Sequence, residues 1–289
     1  MTPFSAEGKQ ILALLRRKAP EAEIQGLFDK FHTSNDSTID PNVAFTDAYV
    51  TTICYIGSKS LSHVLSYIER CKERLLSIAA SSPAARMQIV ASVVAYWRAV
   101  QPGVAVNIVD KLLNYTVLDP STVVTWALAD PALVGADPSD PQACALATTW
   151  IYEMVARTAA KVTTRLRQIV AARMQKDESQ EQINALDETL ARDRESMKAL
   201  FAVIEDAVVS VASGDNNRMM EMMEMDETQQ EMLRQWGMKW LRTFRRKYAV
   251  EDSIIEDAIK VFPPASAADG GPTTDGNSTN GHVDGHAEI

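Results

Sequence analysis

Apolar positions recur at helical spacing along most of this chain, and few stretches show the alternation of a half-buried strand. Between Cys54 and Leu128 the pattern predicts four amphipathic helices in succession. Leu61, Val64, Leu65, Ile68, Leu75 and Leu76 fall near one stripe, and Ile89, Val93, Tyr96 and Trp97 near another. Breakers stand where turns are needed: Gly57-Ser58, Ser82-Pro83, Gln101-Pro102-Gly103 and Asp119-Pro120, each ahead of one helix. Proline at a helix start is tolerated because its missing N–H would have no intrahelical partner there. Helices this short are not stable alone in water, so they must stack through their apolar faces. Antiparallel pairs joined by tight turns predict an all-α chain, an α-α superhelix of HEAT/armadillo-like helix pairs.

The flanks extend the pattern. Upstream, a helix is predicted from Ser5 to Lys18, with Ile11, Leu12, Leu14 and Leu15 on its apolar face. Its last residues, Arg16-Arg17-Lys18, place positive charge where the helix dipole favours it. A second helix runs from Pro20 to His32, and after a polar turn at 33–41 a third reaches Gly57. Downstream, the Pro- and Asp-rich segment after Leu128 marks a break. Two long helices follow, about Gln142–Gln175 and Glu181–Val211. The second carries Ile183, Leu186, Leu190, Met197, Leu200 and Ile204 as a heptad seam, with Asp193 at one place where an apolar residue is expected. The short charged KDESQEQ between them predicts an antiparallel hairpin (about 142–211) projecting from the repeats. Then come a Met-rich connection, a helix with Trp236, Trp240, Leu241 and Phe244 on its apolar side, and a last helix from Glu251 to Phe262. The helical-repeat domain therefore covers 1–262. Residues 263–289 are rich in Gly, Ser, Thr, Asn and Asp, too poor in apolar surface to offset ordering entropy, and are predicted to be disordered.

Composition narrows the function classes. No run of about 18 apolar residues is present, so no membrane-spanning helix is expected. The N-terminus lacks a basic flank followed by an apolar signal core. Cys54, Cys71 and Cys144 are odd in number and lack metal spacing, which fits reduced thiols in the cytosol or nucleus. The net charge is −9, and the segment after Phe262 has four acids and no Lys or Arg, which leaves −5 on the rest. A mildly acidic body argues against an all-over nucleic-acid-binding surface but leaves room for a local basic patch.

Four blocks carry a family resemblance: I56-G-S-K-S-L-S-H63, V94-A-Y-W97, V109-D-K-L-L113 and V123-V-T-W-A127. Together, in this order, they resemble the last helical-repeat domain of the large subunit of the nuclear cap-binding complex. That domain belongs with the middle domain of the eukaryotic translation-initiation scaffold. The likeness covers roughly residues 3 to 262. It implies a scaffold in the nucleus, shuttling to the cytoplasm, that supports a small RNA-recognition-motif subunit. That subunit binds the 7-methylguanosine cap, so capped RNA is a partner indirectly; RNA processing, export and nonsense-mediated decay factors are recruited to the same platform. The family's large subunit has three such domains in tandem and this chain matches the last, so a fragment, a truncated product or a divergent short form is expected. A translation-initiation or decay scaffold of the same repeat class, binding a helicase, is the alternative.

Candidate interaction residues follow from charge and exposure. Lys59 and His63 lie around one helix start, where Ser58 or Ser60 can cap; no acid or nucleophile stands at helical neighbour spacing from His63, so an interface or structural role is expected. Arg157, Lys161 and Arg165, four apart, form a positive stripe: a solvated face, or a docking surface for a protein or RNA. Arg242, Arg245, Arg246 and Lys247 crowd one side of an aromatic-bearing helix, either an amphipathic closing helix or an RNA contact. Asp110 and Lys111 are adjacent and cannot face each other, so both are expected to bond to neighbouring helices. Trp97 and Trp126 read as core anchors. Met219, Met220, Met222, Met223 and Met225 lack His or Cys support and predict a flexible connection with interface potential, not a Cu(I) site. No aspartate-rich metal motif, Gly-rich phosphate loop or nucleophile–base spacing is found. The chain is therefore expected not to be an enzyme, and to need no cofactor, metal or small-molecule substrate.

Overall fold

The computed structural model describes residues 6–33, 40–129, 145–175, 179–213 and 226–261. Among them are eleven α-helices and no strand: α1 (Ala6–Arg16), α2 (Glu21–Thr33), α3 (Pro41–Ile56), α4 (Leu61–Arg70), α5 (Lys72–Ser81), α6 (Pro83–Trp97), α7 (Pro102–Asn114), α8 (Pro120–Ala129), α9 (Thr149–Arg173), α10 (Gln180–Ser213) and α11 (Glu227–Val261). A 3₁₀ turn, Ala145–Ala147, precedes α9. The Met219–Met225 block, the tail after Val261, Cys144 and the expected start of a helix at Gln142 lie outside the described residues.

Helix starts fall where the breakers stand, and side chains cap them. Asp40 accepts from the Asn42 N–H at 2.9 Å ahead of Pro41. Ser82 accepts from Ala85 N–H at 3.0 Å ahead of Pro83, and Asp119 from Thr122 N–H at 2.8 Å ahead of Pro120. Each bond satisfies one of the N–H groups that a helix leaves unpaired at its first turn. Arg86 and the Thr122 hydroxyl also bond Asp119, both at 2.7 Å. Burial works to raise the Asp119 carboxyl, but those bonds hold it below the usual carboxylate range.

Two predicted boundaries differ from the structure. The helix expected to run from Gly57-Ser58 to the Ser82-Pro83 break is two helices, α4 and α5, bent at Cys71 (φ −93°, ψ 9°). The apolar period runs straight through this point and no Gly or Pro marks it, so the bend is a tertiary effect. It lets α4 lie on α3 and α7 while α5 lies on α6. It also turns Arg74 inward, only 5% exposed, where it donates to Gln25 at 2.8 Å and pairs with Glu21. Arg70 meanwhile donates to the Leu15 carbonyl at 2.9 Å. At the other end, the two closing helices expected at Gln235–Tyr248 and Glu251–Phe262 are the single helix α11. Nothing breaks the chain at Ala249-Val250, and Glu251 is buried, bonded by Arg167 at 2.7 Å.

Two cores result. The first is built by α1 to α7, with α3 packed on α6 at its centre around Phe45, Tyr49, Ile89 and Val93. Burial pushes the Cys54 thiol in this core up to about 12. The second is built by α8 to α11 around Ile151, Val155, Met197, Ile204 and Phe244. Helix α8 joins them: Val123 belongs to the first core, Val124 and Ala127 to the second. Trp126 and Trp150 pack against both. Helices α9 and α10 form the expected antiparallel hairpin, closed near its turn by the buried Arg173–Asp187 pair. Its base rests on α7 and α8, and α11 runs along α10. Asp193, the polar residue in the apolar seam, is explained by Arg165, which bonds it from α9 at 2.6 Å.

Candidate functional site

The turn between α3 and α4 is set by Gly57. A Cβ there would overlap the Cα of Val64, so only glycine lets the end of α3 approach α4 this closely. Beyond it, Ser60 caps α4, accepting from the His63 N–H at 3.3 Å. The Ser60 hydroxyl also lies 2.8 Å from His63 Nδ1. Lys59 and His63 are both exposed on this corner. The His63 ring is therefore held by a cap, and no acid among the described residues bonds to it.

The stripe on α9 has partners from other helices. Arg157 pairs with Glu153 at 2.6 Å and donates to Asn107 at 3.0 Å. Lys161 pairs with Asp110 at 3.0 Å and donates to Asn114 at 2.6 Å. Arg165 takes Asp193 on α10. Two of the three thus tie the hairpin to α7, and the third ties the hairpin's own helices. Asp110 bonds a neighbouring helix, as its adjacency to Lys111 required. Lys111 instead lies 4.6 Å above the Tyr115 ring in its own turn.

On α11 the four basic residues divide. Arg245 bonds Glu205 of α10 at 2.9 Å, and Lys247 faces Glu251 at 3.8 Å. Arg242 and Arg246, one turn apart and exposed, make no ion pair among the described residues. The aromatic side of α11 is internal: Trp240 is 2% exposed, and its indole N–H donates to the Leu146 carbonyl at 2.9 Å. Trp236 is half-buried, with Lys239 covering its ring at 4.5 Å.

The nine residues do not converge on one cleft. They occupy the α3–α4 corner, the α7–α9 seam and the outer face of α11. Sequence reasoning missed a groove between α10 and α11, although the matching i, i+3, i+7 spacing of Phe201, Ile204, Val208 and of Leu241, Phe244, Tyr248 signals it. Among the described residues no group of three or more His, Cys, Asp or Glu could hold a metal ion, and no helix is long and apolar enough to cross a membrane.

The described residues thus form an all-helical superhelix whose charged residues serve mostly to lock helix on helix. The MIF4G-like family is matched by residues 1–253, and the chain belongs to that family. One relative is the nuclear cap-binding protein subunit 1 of Schizosaccharomyces pombe, 25% identical over 169 residues. The match spans 58% of this chain and 20% of that protein.

Proposed function

We propose that this chain is a scaffold domain of a nuclear cap-binding assembly. It supports a small RNA-recognition-motif subunit that binds the 7-methylguanosine cap, so that capped RNA is held through that subunit. The observation that carries this reading is the coincidence of a MIF4G-like match over most of the chain with likeness to a nuclear cap-binding subunit. A nuclear location, with shuttling to the cytoplasm, and recruitment of processing, export and decay factors belong to the same proposal. The scaffold is non-catalytic. Of the surfaces described, the α3–α4 corner suits partner binding best: Lys59 and His63 are exposed on a backbone that Gly57 and the Ser60 cap make rigid.

The test is retention of capped RNA on the immobilised chain, with and without the small subunit. Retention only when the small subunit is present supports the proposal, and its loss with Lys59→Glu/His63→Glu places the contact at that corner. Retention of a translation-type helicase instead, with no small-subunit binding, moves the chain to an initiation or decay scaffold.

A further inference from the structure

We propose that the groove between α10 and α11 docks an acidic peptide segment of a partner protein, anchored by one large apolar side chain. The groove encloses about 200 Å³ and is walled by Phe201, Ile204 and Val208 on one side and Leu241, Phe244 and Tyr248 on the other. Ala202 leaves its mouth open. The rings are well ordered against one another, with Phe201 and Tyr248 centroids 5.5 Å apart and Phe201 and Phe244 6.3 Å apart. A space this small lies below the usual range for a cofactor and fits a side-chain anchor.

Charge identifies the occupant. Two cations, Lys198 and Arg245, and one acid, Glu205, line the groove, a net positive charge. Lys198 makes no ion pair among the described residues, and the Arg245–Glu205 pair is surface-exposed enough for an incoming carboxylate to exchange with it. From Met232 to Val250 the sequence holds six cations and no acid, in a chain of net charge −9. Arg242 and Arg246, exposed and with no ion pair among the described residues, add positive charge on the adjoining face of α11. An acidic segment with an apolar anchor satisfies both the floor and the rim. RNA would satisfy only the rim. Single strands are held by stacking on aromatic faces as well as by phosphate contacts. Here Trp240 is buried, and Lys239 covers Trp236.

The test is selection of a random displayed-peptide library on the full chain, with every selected peptide re-measured on two variants. Ala202→Glu closes the mouth with a carboxylate at an exposed helical position, and Lys198→Glu reverses the rim charge. Both residues are exposed on a helix, and glutamate is a good helix former, so helical circular dichroism and Tm should match the wild type. The expected result is enrichment of peptides combining Asp or Glu with a large apolar residue, whose affinity falls at least about tenfold in both variants. The proposal is overturned if no selected peptide is sensitive to Ala202→Glu, or if the sensitive ones lack acidic residues. A single-stranded oligouridine that binds the wild type, is lost with Arg242→Glu/Arg246→Glu and is not displaced by acidic peptides would assign the face to RNA instead.

Discussion

Lys161 of α9 and Asp110 of α7 meet at 3.0 Å, each about 30% exposed, and so fasten the long-helix hairpin to the repeats below it. Such a half-exposed pair is worth about 0.5–1 kcal/mol. A double-mutant cycle with Lys161→Ala and Asp110→Ala, read by urea unfolding, should return a coupling in that range. Additive losses would show that this ion pair does not help to seat the hairpin.

Two glycines should respond in opposite directions. Gly57→Ala drives a methyl into the Val64 backbone, which cannot yield, and should cost about 1–3 kcal/mol. Gly26, exposed inside α2, has nothing within 4 Å of the added carbon. Gly26→Ala should therefore stabilise by about 0.5–1 kcal/mol. Thermal unfolding of the two variants beside the wild type decides both.

These cases show where the sequence was readable. Helix starts at Pro41, Pro83, Pro102 and Pro120 were legible because proline acts locally, helped at all but Pro102 by a capping neighbour. The bend at Cys71 was not: the stripe Val64, Ile68, Cys71, Leu75, Ile78 keeps a helical period through it, and the cause lies in helices that pack from elsewhere. The same limit applies to the surface. Spacing showed that Arg157, Lys161 and Arg165 share a face, yet their partners Asn107, Asp110 and Asn114 come from α7 and Asp193 from α10. Periodicity places residues on a face but does not say what the fold brings opposite.

At the hairpin turn, Arg173 and Asp187 are buried together, at 6% and 14% side-chain exposure. Asp187→Ala removes two hydrogen bonds to a charged, poorly hydrated guanidinium and should cost about 1–3 kcal/mol. The double variant Arg173→Met/Asp187→Leu removes both charges and should recover much of that loss. A double variant no better than Asp187→Ala would mean the loss is one of packing.

Asp119 links stability to pH. Its folded carboxyl is held below the ordinary value by Thr122 and Arg86, against the effect of burial. A depressed folded value contributes stability that is present above the unfolded value and lost as pH falls through the folded one. Asn is as good a helix cap as Asp, so Asp119→Asn isolates the charge. The wild type should be the more stable of the two above about pH 5, and the gap should close as pH drops below about 3.9. A gap unchanged by acid would assign the difference to capping geometry.

The scaffold reading is tested most directly by sedimentation velocity of the chain mixed with the small RNA-recognition-motif subunit. The expected result is a one-to-one complex that survives moderate salt and persists when capped RNA is added. Two separate species, with helical circular dichroism intact and with a relative's complete large subunit binding in the same buffer, would contradict it.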